Sequence, residues 1–160
     1  MTAEPRRHVI VTGGLSGIGH AVALNLAGKG HRVAVGARNL ESRSRRAAFG
    51  ALTEAALAGG GEARADALGL TDPGSVTAFC GRPADRFGPA DVLVNAAGVT
   101  AEQPVQGHSD ALWQKVIETN LTGAFRMIRA CLPAMIARGW GRIVNIGSTA
   151  ATVGWKDNPA

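Results

Sequence analysis

Val9-Ile10-Val11-Thr12-Gly13-Gly14-Leu15-Ser16-Gly17-Ile18-Gly19 joins a short apolar strand to a glycine-rich turn, and an alanine- and leucine-rich helical segment follows at once. Glycines let the backbone bend sharply and come close to a bound group. The first N–H groups of a helix lack intrahelical partners and lie at its positive dipole end, so such a turn attracts an anion. With a strand before it and a helix after it, the motif points to a nucleotide pyrophosphate. A tight strand-to-helix turn with no ligand is the competing reading.

Working outward, short apolar runs alternate with longer segments of helical period, the pattern of repeated βα units and a parallel sheet. Strands are expected at 8–12, 32–36, 63–68, 91–95 and 142–146, and helices at 17–30, 40–58, 73–87 and 109–138. Val92-Leu93-Val94 and Ile143-Val144-Asn145-Ile146 lack polar alternation, as central strands covered on both faces do. Gly30, Gly59-Gly60-Gly61, Gly88-Pro89 and Gly139 to Gly141 separate helix from strand. The fold class is therefore α/β, with residues 1–160 as one dinucleotide-binding domain of Rossmann-like, doubly wound parallel type.

The last predicted helix has two apolar faces. Leu112, Val116, Gly123, Met127 and Cys131 share one, while Trp113, Ile117, Leu121, Phe125, Ile128 and Leu132 trace the other. One sheet cannot cover both, so a second packing partner is implied, either another subunit or a further part of the fold. Pro133 is expected to kink this helix or to mark its last turns.

Composition narrows the function classes. The 160 residues are 46% hydrophobic and 18% charged, which excludes a disordered or collagen-like chain. No apolar run approaches a membrane span, and only three apolar residues follow Arg6-Arg7 and His8, so no signal-peptide core is present and a cytoplasmic protein is expected. Cys80 and Cys131 are isolated and read as reduced, packed thiols, and no metal site is expected. The four histidines are scattered and read mostly as solvated. A net charge of +5 raises nucleic-acid binding. The arginines are spread along the chain apart from Arg43, Arg45 and Arg46, and no aromatic platform accompanies them, so that partner is not expected. The cluster reads as a solvated helix face or as the neighbour of a phosphorylated cofactor.

Four separated motifs together resemble the N-terminal portion of the short-chain dehydrogenase/reductase family. They are the turn from Thr12 to Gly19, Asp91-Val92-Leu93-Val94-Asn95-Ala96-Ala97-Gly98, Asn120, and Gly141-Arg142-Ile143-Val144-Asn145-Ile146-Gly147-Ser148. The resemblance implies a nicotinamide cofactor held by Thr12, Gly13, Leu15, Ser16, Gly17, Ile18, Gly19, Arg38, Asn95, Ala96 and Gly98. It also implies catalytic roles for Ser148, which would hydrogen-bond a substrate carbonyl, and Asn120, which would help hold a water in a proton relay. Asn95 reads equally as a structural bridge between strands. Members of the family take their proton donor from a Tyr-x-x-x-Lys motif, which would begin just beyond Ala160, and this sequence has no tyrosine. The resemblance places the last strands of the family's sheet beyond Ala160 as well, so residues 1–160 are expected to be a partial domain with an incomplete sheet of about five strands, inactive alone.

Cofactor choice rests on the end of the second strand. Ala37 stands where an acid would bind a ribose 2′-hydroxyl, and Arg38 follows it, which favours the 2′-phosphate of NADP(H) over NAD(H). An exposed surface arginine is the alternative. By the same alignment Gly69 replaces an adenine-contacting aspartate, with Asp66 as the candidate substitute. Glu118 to Gly123 and Gly147 to Ala150 resemble ketoreductases that act on 3-oxoacyl thioesters or polyketides. The resemblance thus implies a small-molecule carbonyl substrate and, for the complete enzyme, a homo-oligomer (dimer or tetramer). A non-catalytic dinucleotide-binding or subunit-interaction protein is the second reading.

Overall fold

A computed structural model describes residues 5–157 and 159. Five parallel strands form one open sheet: β1 (His8–Thr12), β2 (Arg32–Ala37), β3 (Glu62–Ala67), β4 (Val92–Asn95) and β5 (Arg142–Asn145). Their order across the sheet is β3-β2-β1-β4-β5. Every strand end lies within one residue of its expected place; in β1, β2 and β4 nearly continuous apolar runs leave little choice, and in β3 alanines alternate with Glu62, Arg64 and Asp66. Val9 pairs with Val33 on one side and Val92 on the other, and Asn95 pairs with Asn145.

Alternate residues of each strand feed two cores. Ile10, Ala34 and Leu93 face α3 (Pro73–Phe87) and α5 (Gly123–Ala137), where Phe79, Met127 and Cys131 are buried. Val9, Val11, Val33, Val35 and Val94 face α1 (Gly17–Gly28) and α2 (Arg43–Ala58), packing with Ala23, Ala27, Leu52 and Ala56. This period-two division covers both faces of β1, β2 and β4, which explains why Val92-Leu93-Val94 lacks polar alternation. The same expectation for Ile143-Val144-Asn145-Ile146 is corrected: β5 is the edge strand, covered by no further strand among the described residues, and Val144 is 45% exposed. Each fully buried Val, Leu, Ile or Phe contributes roughly 1.5–3 kcal/mol.

The helix expected at 109–138 is built from three pieces: α4 (Asp110–Ile117), a wider π-helical turn (Glu118–Thr122) and α5. Its first apolar face is buried at Val116, Gly123, Met127 and Cys131, and Met135 extends it. The second face is open at Trp113, Leu121, Phe125 and Leu132. Pro133 does not end the helix, which continues to Ala137. The helix expected at 40–58 starts at Arg43, capped by Ser42, because Asn39 adopts a left-handed φ of 49° that turns the chain first. A short 3₁₀ turn (Val105–Gly107) and α6 (Ala150–Val153) were not expected from periodicity. No helix among the described residues is long and apolar enough to cross a membrane.

The reading of scattered, solvated histidines is corrected at two positions. His8 and His31 are buried. His8 Nδ1–H donates to the Gly88 carbonyl at 2.6 Å, and His31 Nδ1 accepts from the Arg7 N–H at 3.2 Å.

Candidate cofactor site

Strand order reverses on either side of β1: β2 and β3 lie to one side, β4 and β5 to the other. In an open α/β sheet the crevice outside the carboxyl ends of the strands at such a switch point takes ligands. Here it is a cleft of about 160 Å³, lined among others by Gly13, Ser16, Arg38, Arg45, Ala96 and Gly98.

Sequence dictates how its floor is built. Thr12 ends β1 with its side chain buried, and Thr12 Oγ1 accepts from the N–H groups of both Ala96 and Ala97 at 3.1 Å. One hydroxyl thus holds the loop after β4 against the loop after β1. Gly13 has a φ of 67°, and a Cβ there would stand 2.9 Å from Ala97 Cα. Gly19 presses from the helix side, where a Cβ would stand 2.6 Å from the Gly13 carbonyl oxygen. Both contacts demand the smallest residue.

The N-terminus of α1 borders this floor, its N-cap Ser16 lining the cleft. Its first intrahelical bond runs from His20 N–H to the Ser16 carbonyl at 3.1 Å, leaving the N–H groups of Gly17, Ile18 and Gly19 ahead of the ladder. Ser16 makes no side-chain capping bond, and the first turn carries no acid. An anion is therefore the natural partner of these donors. Leu15 anchors the turn in the core, whereas Ile18 is exposed.

Other predicted residues act on the surrounding loops. Asn95 is buried and its Nδ2 donates to Asn145 Oδ1 at 2.9 Å, so it bridges β4 and β5; its own Oδ1 is buried without a partner. Asn120, on the π-helical turn, pairs twice with one residue: Oδ1 accepts from the Val99 N–H at 2.9 Å and Nδ2 donates to the Val99 carbonyl at 2.8 Å. Ser148 lies exposed after β5, outside the cleft lining, and its Oγ accepts from the Ala150 N–H at 3.1 Å. The hydroxyl hydrogen remains available for donation.

Asp66 does not take the place left by Gly69. It forms a two-pronged pair with Arg64, adds Arg82 at 4.0 Å, and does not line the cleft. The reason is strand alternation, which puts Glu62, Arg64 and Asp66 together on one face of edge strand β3. Leu68, Gly69, Leu70 and Thr71 form this wall instead. Gly69 was placed here by the resemblance; Leu68, Leu70 and Thr71 escaped it because nothing but their position after a strand marks them. Arg45 also lines the cleft, and its only sequence signal was the arginine cluster.

The short-chain dehydrogenase family model matches residues 7–160. The chain belongs to this family. It is 42% identical over 156 residues to a Streptomyces virginiae protein named as a ketoacyl reductase of the monensin polyketide synthase, covering 96% of this chain and 58% of that one. It is 35% identical over 145 residues to the 3-oxoacyl-(acyl-carrier-protein) reductase FabG of Escherichia coli K12, covering 91% and 56%. A metagenomic short-chain oxidoreductase solved in complex with NADP superposes with a TM-score of 0.85 at 36% identity, covering 95% of this chain and 66% of that one. The chain thus spans little more than half the length of the curated relatives it matches.

Proposed function

We propose that these residues form the cofactor-binding portion of an NADP(H)-dependent oxidoreductase that reduces a carbonyl, a 3-oxoacyl thioester or another ketone, to an alcohol. The observation that carries the reading is the cleft at the switch point, which joins an unpaired helix N-terminus to two arginines. The names of the ketoacyl reductase relatives support the carbonyl class, and the NADP complex supports the phosphorylated cofactor.

The residues present fit this cofactor. The N–H groups of Gly17, Ile18 and Gly19 would hold the pyrophosphate, Gly13 and Gly19 keep the floor low enough for its approach, and Arg38 would face the 2′-phosphate. Ala96 and Gly98 offer a wall of small side chains towards the nicotinamide end. Bound NADPH supplies a hydride equivalent. Ser148 would donate its hydroxyl hydrogen to the substrate carbonyl oxygen, polarising the carbon. Asn120 fixes the Val99 peptide and thereby the loop that carries Ala96 and Gly98.

Proton delivery in this reading falls to the tyrosine of the Tyr-x-x-x-Lys motif that the resemblance implies, and these 160 residues contain no tyrosine. Loss of positioned acid catalysis costs ~10²–10⁴-fold in rate. The residues alone are accordingly inactive in this account, and a binding role without turnover is the second reading that the same absence supports. Assay of the protein expressed from its complete coding sequence tests both. NADPH oxidation on a 3-oxoacyl thioester or a simple ketone, lost in the isolated 160-residue chain, is the expected result. NADPH binding without turnover of any carbonyl would replace it with the second reading.

A further inference from the structure

Three arginines crowd the first turn of α2, where a helix favours negative charge. Arg43, Arg45 and Arg46 stand there and no acid does. Arg46 is answered by Glu41 at 3.6 Å in an exposed pair. Arg45 differs: it is half-buried, it enters no ion pair among the described residues, and its Nη1 is buried without a hydrogen-bond partner. A charged donor enclosed in this way is unfavourable until it meets an acceptor.

The backbone brings this side chain to the cleft. Asn39, in the left-handed region, turns the chain directly after Arg38, and the Ser42 hydroxyl fixes the start of α2 by accepting from the Arg45 N–H at 3.4 Å. Arg38 and Arg45 consequently line one cleft, and no carboxylate lines it among the described residues. Two guanidinium forks around one space match the three acceptor oxygens and the double charge of a phosphate monoester. Both arginines lie beyond the carboxyl end of β2, apart from the α1 N-terminus that suits the pyrophosphate.

We propose that Arg45 is a second specificity-determining ligand of the cofactor 2′-phosphate, acting with Arg38. The inference rests on the assignment of this cleft to NADP(H). Adenosine 2′,5′-bisphosphate and 5′-AMP isolate the two assignments, because they differ only in the 2′-phosphate.

Their affinities should be measured by titration calorimetry on the protein from its complete coding sequence, together with Arg38→Gln, Arg45→Gln and Arg45→Lys. The expected result is that Arg45→Gln weakens the 2′,5′-bisphosphate roughly 10- to 100-fold, the scale of a charge-assisted hydrogen bond. Binding of 5′-AMP should stay within about twofold, and Arg45→Lys should recover part of the loss, since an ammonium keeps the charge but not the fork. Thermal unfolding of each variant separates loss of ligand contact from loss of fold, with Arg45→Lys carrying the test if Arg45→Gln unfolds.

Equal weakening of both ligands, or no change in either, overturns the role of Arg45 while leaving Arg38 and the cofactor assignment intact. A wild-type protein that does not distinguish the two ligands overturns the 2′-phosphate assignment itself, and Arg45 with it.

Discussion

Thr12 shows how one atom can organise a site from a distance. Its Oγ1 accepts two backbone N–H groups of the loop after β4. Thr12→Val keeps the shape and removes the acceptor, leaving two enclosed donors unpaired at ~1–3 kcal/mol each. A lower denaturation midpoint with weakened NADPH binding is expected, and Thr12→Ser should restore both. His8 gives a second prediction at this scale. Burial lowers its pKa from the usual value near 6.5, against the opposing pull of the Gly88 carbonyl and Asp91, while Arg32 adds to the lowering. With Nδ1–H donated to Gly88, a proton on Nε2 would find no acceptor. The sign follows from linkage: the unfolded chain binds the proton more readily, so this contribution is full above pH 6.5 and is lost as pH falls through the lowered folded value. His8→Asn removes the titration, so its thermal midpoint should fall less between pH 7 and pH 5 than that of the wild type. The glycine turn was legible at this scale because few residue types satisfy such geometry, and the structure places Arg38 in the lining of the same cleft. Arg45 and Asp66 were not, since whether an arginine or aspartate already has a partner is decided by neighbours distant in sequence.

At the scale of elements, strands and glycine stops were legible to within a residue, and the π-helical turn was not. Residues 109 to 138 keep a helical apolar period throughout, so one inserted wide turn leaves little trace in the pattern. Its causes are tertiary. Gly123 packs so closely that a Cβ would stand 2.7 Å from Leu70 Cβ. Arg126 ties the same region together by donating to the Leu70 carbonyl at 3.0 Å and to Glu118 Oε2 at 2.9 Å. Asn120 then reaches the Val99 peptide from the widened turn. Asn120→Ala should destabilise the protein by ~1–2 kcal/mol, two hydrogen bonds of partly exposed groups. Hydrogen exchange at the Val99 amide tests this directly: exchange should quicken there while the β4 amides keep their protection. Unchanged exchange at Val99 would mean that the pairing does not hold the loop.

For the molecule as a whole, the alternation of short apolar runs with helical segments fixed the class of fold, because parallel strands need crossover helices on both faces. What the sequence could not reveal is how unlike the two edges are. Edge strand β3 carries Glu62, Arg64 and Asp66, all in ion pairs, which discourages further strand pairing. Edge strand β5 is flanked by open apolar groups, with Val144 45% exposed, and Leu121, Phe125 and Leu132 are open on the helices. The surfaces for which a second packing partner is expected are those left apolar and exposed on β5 and the α4–α5 region. The organised part of the molecule is the cleft over β1, β2 and β4, and the account stands on its being an NADP(H) site. Calorimetric titration of the protein from its complete coding sequence with NADPH and NADH tests that most directly. The account predicts one NADPH per chain, bound at least about tenfold more tightly than NADH, as a guanidinium–phosphate pairing requires. Equal affinities, or binding of neither by a protein that unfolds cooperatively, would contradict it.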